Sequence, residues 1–174
     1  MARKTDITGR QAVVLASVLR TPTRPNFFTG RLLTVEDFQM EQEYLDHKRR
    51  LQNLATLGAG VVTGLAVSEE PGGTDITISA GYAVDPLGRE IIVPADVCVP
   101  WPMASKRPAR RWGVVIEYAE HDADPVPTTD GPIASTVSEG YSITVITEPP
   151  ASDDTRVVLR PFGVQRKRGS TARA

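Results

Sequence analysis

At 174 residues and 18.9 kDa the chain suits one domain, or one domain with an arm, and is long enough for a real hydrophobic core. Twenty Lys and Arg against twenty-one Asp and Glu leave a net charge of −1, so no global field recruits nucleic acid or an anionic membrane. The single Cys98 excludes an intramolecular disulfide framework and a multi-cysteine zinc site, while fourteen Gly and fourteen Pro imply many turns and lean the chain toward β structure.

Taken in chain order, residues 1–26 are polar apart from one apolar patch, Ala12 to Leu19. Met1 to Arg10 carries no apolar stretch of the secretory type, and no apolar run approaches the ~18 residues that span a bilayer, so neither export nor membrane insertion is expected. Pro22 and Pro25 bias their predecessors toward extended geometry, and the segment reads as an arm.

A long helix is predicted from about Val35 to about Leu57, ending at Gly58. Thr34 with Asp37 three residues on makes a start of the capping-box type, and Leu33 is placed to staple onto Phe38. Met40, Tyr44, His47, Leu51 and Leu54 recur at spacings of three and four, widened by Phe38, Leu45 and Ala55. This stripe is expected to pack on the chain's own sheet, with a helix of another subunit as the alternative. It is too short to establish a coiled coil. His47, on the stripe, is expected to be satisfied or partly buried.

Strand texture follows. Val61, Leu65 and Val67 alternate with smaller residues, and Gly72-Gly73 turns the chain into Ile76-Thr-Ile78 as a hairpin. Gly81 to Val84 continues extended, Asp85-Pro-Leu-Gly88 has turn chemistry, and Glu90 to Val93 returns as a strand. Beyond the Pro-punctuated stretch from Pro94 to Pro108, strands are marked by Trp112, Val114, Ile116 and Tyr118, by Tyr141, Ile143 and Val145, and by Val157 and Leu159. Glu120 to Gly140 reads as a long acidic, Pro-containing loop, mobile or a contact surface. Gln165 to Ala174 reads as a disordered basic tail. The expected architecture is mainly β with one long helix (α+β): an arm over 1–26, a domain over 27–164 holding the helix and a small antiparallel β-sandwich or barrel of six or seven short strands, and the tail.

None of the candidate chemical groups outweighs its bland explanation. His121, Asp122 and Asp124 could seed a divalent-metal site, but the calcium-loop pattern is not completed, and a solvated acidic loop explains them. Asp85, Arg89 and Glu90 around one turn are explained by hairpin structure rather than acid/base work. Cys98, between Val97 and Val99, reads as a buried structural thiol. Arg107, Arg110 and Arg111 and the tail's Arg166 to Arg168, near Trp101, Trp112 and Phe162, could hold single-stranded nucleic acid, but acidic clusters elsewhere favour a charge complement within or between chains. Gly58-Ala-Gly60 follows a helix rather than preceding one and reads as its C-cap, not a phosphate loop. No catalytic, cofactor-binding or metal-binding residue is therefore assigned, and no nucleic-acid partner.

Four blocks carry a family resemblance: Asn26-Phe-Phe-Thr-Gly-Arg-Leu-Leu-Thr-Val-Glu-Asp-Phe-Gln-Met-Glu-Gln-Glu-Tyr44, Lys48-Arg-Arg-Leu51, Gly60-Val-Val-Thr-Gly-Leu65 and Ile78-Ser-Ala-Gly-Tyr-Ala-Val-Asp-Pro-Leu-Gly-Arg-Glu-Ile91. Over about residues 24 to 93 the chain resembles small proteins and modules associated with the baseplate or fibres of contractile injection systems and tailed phages. The resemblance implies a structural, non-enzymatic adaptor linking baseplate or spike to a peripheral component, oligomeric within the particle, assembled in the bacterial cytoplasm and carried on a particle that can be released. It brings no catalytic residues. Phe27, Phe28 and Gly30 then form a turn whose aromatics can plug the end of the sandwich, while Phe38, Tyr44 and Leu51 line the helix and Asp85 and Gly88 fix the hairpin register. Asp122, Asp124 and Asp130 are the candidate docking residues. The competing reading from another class is a carbohydrate-binding β-sandwich using Trp101, Trp112 or Tyr118 as stacking platforms, and a third is a hydrolase built on the acidic loop.

Overall fold

A computed structural model describes residues 19–69, 75–100, 112–151 and 154–160. The helix α1 spans Val35–Thr56 and is followed by strands β1 (Gly60–Gly64), β2 (Val67–Glu69), β3 (Asp75–Ile78), β4 (Gly81–Val84), β5 (Glu90–Val93), β6 (Val97–Pro100), β7 (Gly113–Thr128), β8 (Gly131–Ile146) and β9 (Val157–Arg160). They form three antiparallel three-stranded sheets, ordered β1-β4-β5, β2-β3-β6 and β8-β7-β9. The fold is α+β, mostly strand, and the small sheets do not close into a barrel.

Period-two alternation builds the core from all three sheets. Ile76 and Ile78 of β3 and Ile91 and Val93 of β5 point inward, and Val114 and Ile116 of β7 meet them, with Leu65, Ala83, Trp112 and Val157 closing the cluster. Outward positions between them, such as Thr77, Ile92 and Cys98, stay at least partly exposed. Cys98 is thus not the buried thiol expected: on β6, an edge strand, Val97 and Val99 take the inner face and leave the thiol outside, 3.8 Å from Thr77 Oγ1. The expected hairpin around Gly72-Gly73 is the β2–β3 pair, Val67 opposite Ile78, although the turn itself lies outside the described residues. β1 pairs instead with β4. Leu65, with φ at +55°, separates β1 from β2, and Gly64 before it is required, because a Cβ there would stand 2.0 Å from the Ala80 carbonyl oxygen.

Helix α1 begins where Thr34 and Asp37 place it, with the Thr34 N–H donating to Asp37 Oδ2 at 3.2 Å. It ends with Leu57 and Gly58 both donating to the Asn53 carbonyl, Gly58 at φ +74°. The packing of its stripe needs correction. Tyr44, Leu51 and Leu54 are half-buried and His47 is buried, but Phe38 is 59% exposed, and Leu45 and Leu33 also remain exposed. The inward line is instead Asp37, Tyr44, His47, Leu51 and Asn53, a polar-rich seam that leaves the apolar N-terminal flank uncovered.

The second correction concerns Glu120 to Gly140. This segment is no loop: β7 and β8 pair without interruption of register from Gly113 opposite Ile146 to Thr128 opposite Gly131. A two-residue turn, Thr129-Asp130, closes the hairpin. Below Glu120 the hairpin is core; beyond it nearly every residue is exposed, so a two-stranded ribbon projects from the body by about 30 Å at ~3.4 Å per residue.

The arm's residues 1–18, the stretch 101–111 and the tail lie outside the described residues, and residues 19–26 hold no regular element.

Candidate functional site

The β4–β5 turn ties three elements together. Asp85 is fully buried, with Oδ1 accepting from the main-chain N–H of Leu87 at 2.8 Å and of Arg89 at 2.9 Å, and Oδ2 accepting from Arg89 Nε at 2.6 Å. The Gly88 N–H closes the turn onto the Asp85 carbonyl at 2.9 Å. Gly88 sits at φ +79° with Arg50 main chain against it, where a Cβ would lie 2.5 Å from the Arg50 oxygen, so helix and turn touch backbone to backbone. Asn53 Nδ2 adds bonds of 3.1 Å to the Gly88 carbonyl and to Glu90 Oε1. The Arg89 guanidinium lies 4.6 Å from the centre of the Tyr118 ring, carrying the link to β7. Both Asp85 oxygens are engaged structurally, which leaves neither free for proton transfer.

A charged root follows where the ribbon leaves the body. Tyr118 Oη donates to Glu120 Oε1 at 2.8 Å, and Glu120 stands directly opposite Glu139 across the hairpin. Burial, then the Glu120 hydrogen bond and the charges of Glu139 and Glu120, hold the Tyr118 phenol well above its ordinary range. Burial and Glu90 likewise raise Tyr82. Two carboxylates paired across strands repel, and Arg49 of α1 answers them, 3.8 Å from Glu139 and 3.2 Å from Asp46.

On the ribbon, Asp122 is opposite Val137 and Asp130 lies in the terminal turn, its N–H donating to Thr128 Oγ1 at 3.3 Å. Asp124 adopts φ +50°; its Oδ2 accepts from Thr136 Oγ1 at 2.6 Å and its carbonyl from Ser135 Oγ at 2.7 Å. The three aspartates therefore occupy separate stations along the hairpin. Among the described residues no three His, Cys, Asp or Glu side chains converge as a metal ion would require. From Trp112 to Thr155 the sequence contains no Lys or Arg, and six carboxylates fall between Gly113 and Ile146.

The aromatic turn lies elsewhere and faces outward. The Arg31 N–H donates to the Phe28 carbonyl at 3.1 Å, Gly30 takes φ +89°, and Arg31 pairs with Asp37 and donates to the Asn26 carbonyl at 2.7 Å. This clamp fastens the turn to the start of α1 and leaves Phe27 50% and Phe28 64% exposed, rather than plugging the sandwich as expected. Leu32, Leu33, Val35 and Phe38, which follow in the chain, are exposed as well, so residues 27–38 hold six exposed large apolar side chains. Two of the three proposed carbohydrate platforms are not open. Trp112 is 3% exposed with the Arg160 guanidinium 3.7 Å from its ring, Arg160 pairing in turn with Glu69, and Tyr118 is half-buried against Arg89. Trp101, the arginines 107, 110 and 111, and the tail cluster with Phe162 lie outside the described residues.

Sequence reasoning did not find the Arg89–Tyr118–Glu120–Glu139–Arg49 chain, since its members meet only through packing. The available signal was that Glu120 is the first charge after the Trp112 to Tyr118 pattern and Glu139 the last charge before the Tyr141 to Val145 pattern.

No protein-family model matches the chain, and no curated protein matches it. Among solved structures the chain is similar to TssK, with a TM-score of 0.36 and 11% sequence identity, over 79% of this chain and 41% of that one. The chain thus spans less than half the length of that protein.

Proposed function

We propose that the chain is a non-enzymatic structural adaptor of a contractile-injection or phage-tail-like particle, docking a baseplate, spike or fibre protein through its acidic ribbon. The observation that carries this reading is the ribbon itself: a hairpin extending well past the core, exposed on both faces and free of basic residues, contributes little to the fold and offers a surface to something else. The exposed aromatic turn beside α1 is a second, apolar surface of the kind that assembly covers. Four sequence blocks over about residues 24 to 93 support the particle context. Assembly in the bacterial cytoplasm and oligomerisation within the particle belong to the same proposal. The test is co-purification: the tagged full chain, expressed together with candidate sheath, tube, baseplate and fibre proteins from its source, retains at least one of them through size exclusion. A stable monomer that retains none overturns the reading.

A further inference from the structure

The ribbon has two long edges, and they differ. Among the described residues β7 pairs with β9 only at Val114, Val115 and Ile116, so beyond that its outer edge is unpaired, and β8 is an edge strand throughout. In an antiparallel pair alternate residues send their N–H and C=O inward to the partner or outward. Pro125 and Pro127 of β7 stand opposite Ala134 and Pro132 of β8. A ladder that keeps its donors must set these proline nitrogens on the outward side. Two consecutive outward positions of β7 therefore lack an N–H, and Asp124, at φ +50°, bends the backbone just before them. Prolines and irregular backbone are how exposed edges are closed to further pairing.

The edge of β8 is guarded only beside the turn, by Pro132, and not beyond it. Its outward positions share the parity of Pro132: Ala134, Thr136, Ser138 and Gly140. All four are small, none is Pro or Lys, and between Ile133 and Ile146 the strand carries one charge, Glu139. Thus a row of unpaired main-chain donors and acceptors flanks the ribbon's carboxylates, in a stretch with no cation of its own. We infer that the outer edge of β8 takes up an extended, Lys- or Arg-bearing segment of a partner protein as an added strand. Main-chain pairing to Ala134 through Gly140 would supply the geometry, and basic side chains facing Glu139, Glu120 and Asp122 the charge complement. This rests on the reading of the ribbon as a docking surface and specifies how it docks.

The test uses the full chain and a capped, fluorescent eight-residue peptide of alternating Lys and Thr, with anisotropy as the readout. Ser138→Pro deletes one outward N–H and leaves the inward ladder to β7 intact. The expected result is saturable binding of the Lys peptide, weakened at least tenfold by Ser138→Pro and equally by N-methylation of every peptide nitrogen, with no binding of the Glu counterpart. The N-methylated peptide decides the matter even where the proline variant folds poorly. Absence of binding, or equal binding of the methylated peptide, overturns strand addition; the latter outcome identifies adsorption by charge. In the co-purification assay, loss of partner with Asp122, Asp124 and Asp130 changed to Asn but not with Ser138→Pro sinks strand addition while leaving the docking surface standing. Retention by both variants sinks the two together.

Discussion

Asp85 shows how one buried carboxylate can be a hinge pin rather than a reagent. Its two oxygens take three donors within a five-residue turn, and the arginine it holds reaches across to Tyr118. Removing the carboxylate strands two part-buried N–H groups and a half-buried guanidinium, so Asp85→Ala is expected to cost about 3 kcal/mol, read by urea denaturation. Near-parental stability would show that the turn re-forms without it. Tyr118 gives a pH signature. Its phenol is harder to ionise in the folded chain than in the unfolded one, so its contribution is complete below the ordinary tyrosine pKa of about 10 and is lost as pH rises through the elevated folded value. Stability should therefore fall above about pH 10, and Tyr118→Phe should flatten that alkaline limb. An unchanged limb would remove Tyr118 as the group responsible.

Two elements, α1 and the β7–β8 hairpin, divide into a half that belongs to the core and a half that does not. Truncating a core residue of the hairpin base, Ile116→Ala, is expected to cost about 2–5 kcal/mol. Replacing residues 121–138 by a two-residue turn should leave the melting temperature nearly unchanged, since the ribbon has scarcely any buried side chains to lose. A large drop would mean that the ribbon folds back on the body. On α1, Phe38→Ala should move stability by less than about 0.5 kcal/mol, as for other exposed substitutions, while weakening assembly. These same elements mark what could be read in the residues. The helix bounds were legible because Thr34, Asp37 and Gly58 have local jobs, and the core strands because Ile76/Ile78, Ile91/Val93 and Val114/Ile116 alternate against a buried face. The ribbon was illegible because both of its faces are wet, which erases period two, and because Pro125, Pro127 and Pro132 read as breakers when their spacing puts them harmlessly on the outer edge. The helix stripe was visible, but nothing local told Phe38, outside, from Tyr44, half-buried. Of the candidate surface, the acidity was legible and its projection from the body was not.

At the scale of the whole molecule the near-zero net charge hides a strong separation. The hairpin's six carboxylates stand without a Lys or Arg in the same segment, so the rest of the chain carries the compensating positive excess. At ~3.4 Å per residue from Glu120, Asp124 and Asp130 stand beyond the Debye length of about 8 Å at physiological salt, measured from the body, while Glu139 at the root is 3.8 Å from Arg49, so it is the outer part of the ribbon that presents its charge away from the chain's own cations. Docking through this surface must then weaken steeply with ionic strength. Changing Asp122, Asp124 and Asp130 to Asn removes three of the six charges and keeps the side-chain volumes. Asp124 retains an acceptor for Thr136, so fold and melting temperature should hardly move. Capture of the partner should weaken at low salt, and its dependence on salt should become shallower. Calorimetric titration of the parent chain with calcium and with magnesium separates this from a metal role, because a coordinating site lost to the same substitutions would show a binding heat in the parent that vanishes in the variant. Undiminished capture by the variant, together with a clear metal-binding heat in the parent, would reverse the assignment and make the aspartates ligands rather than a docking charge.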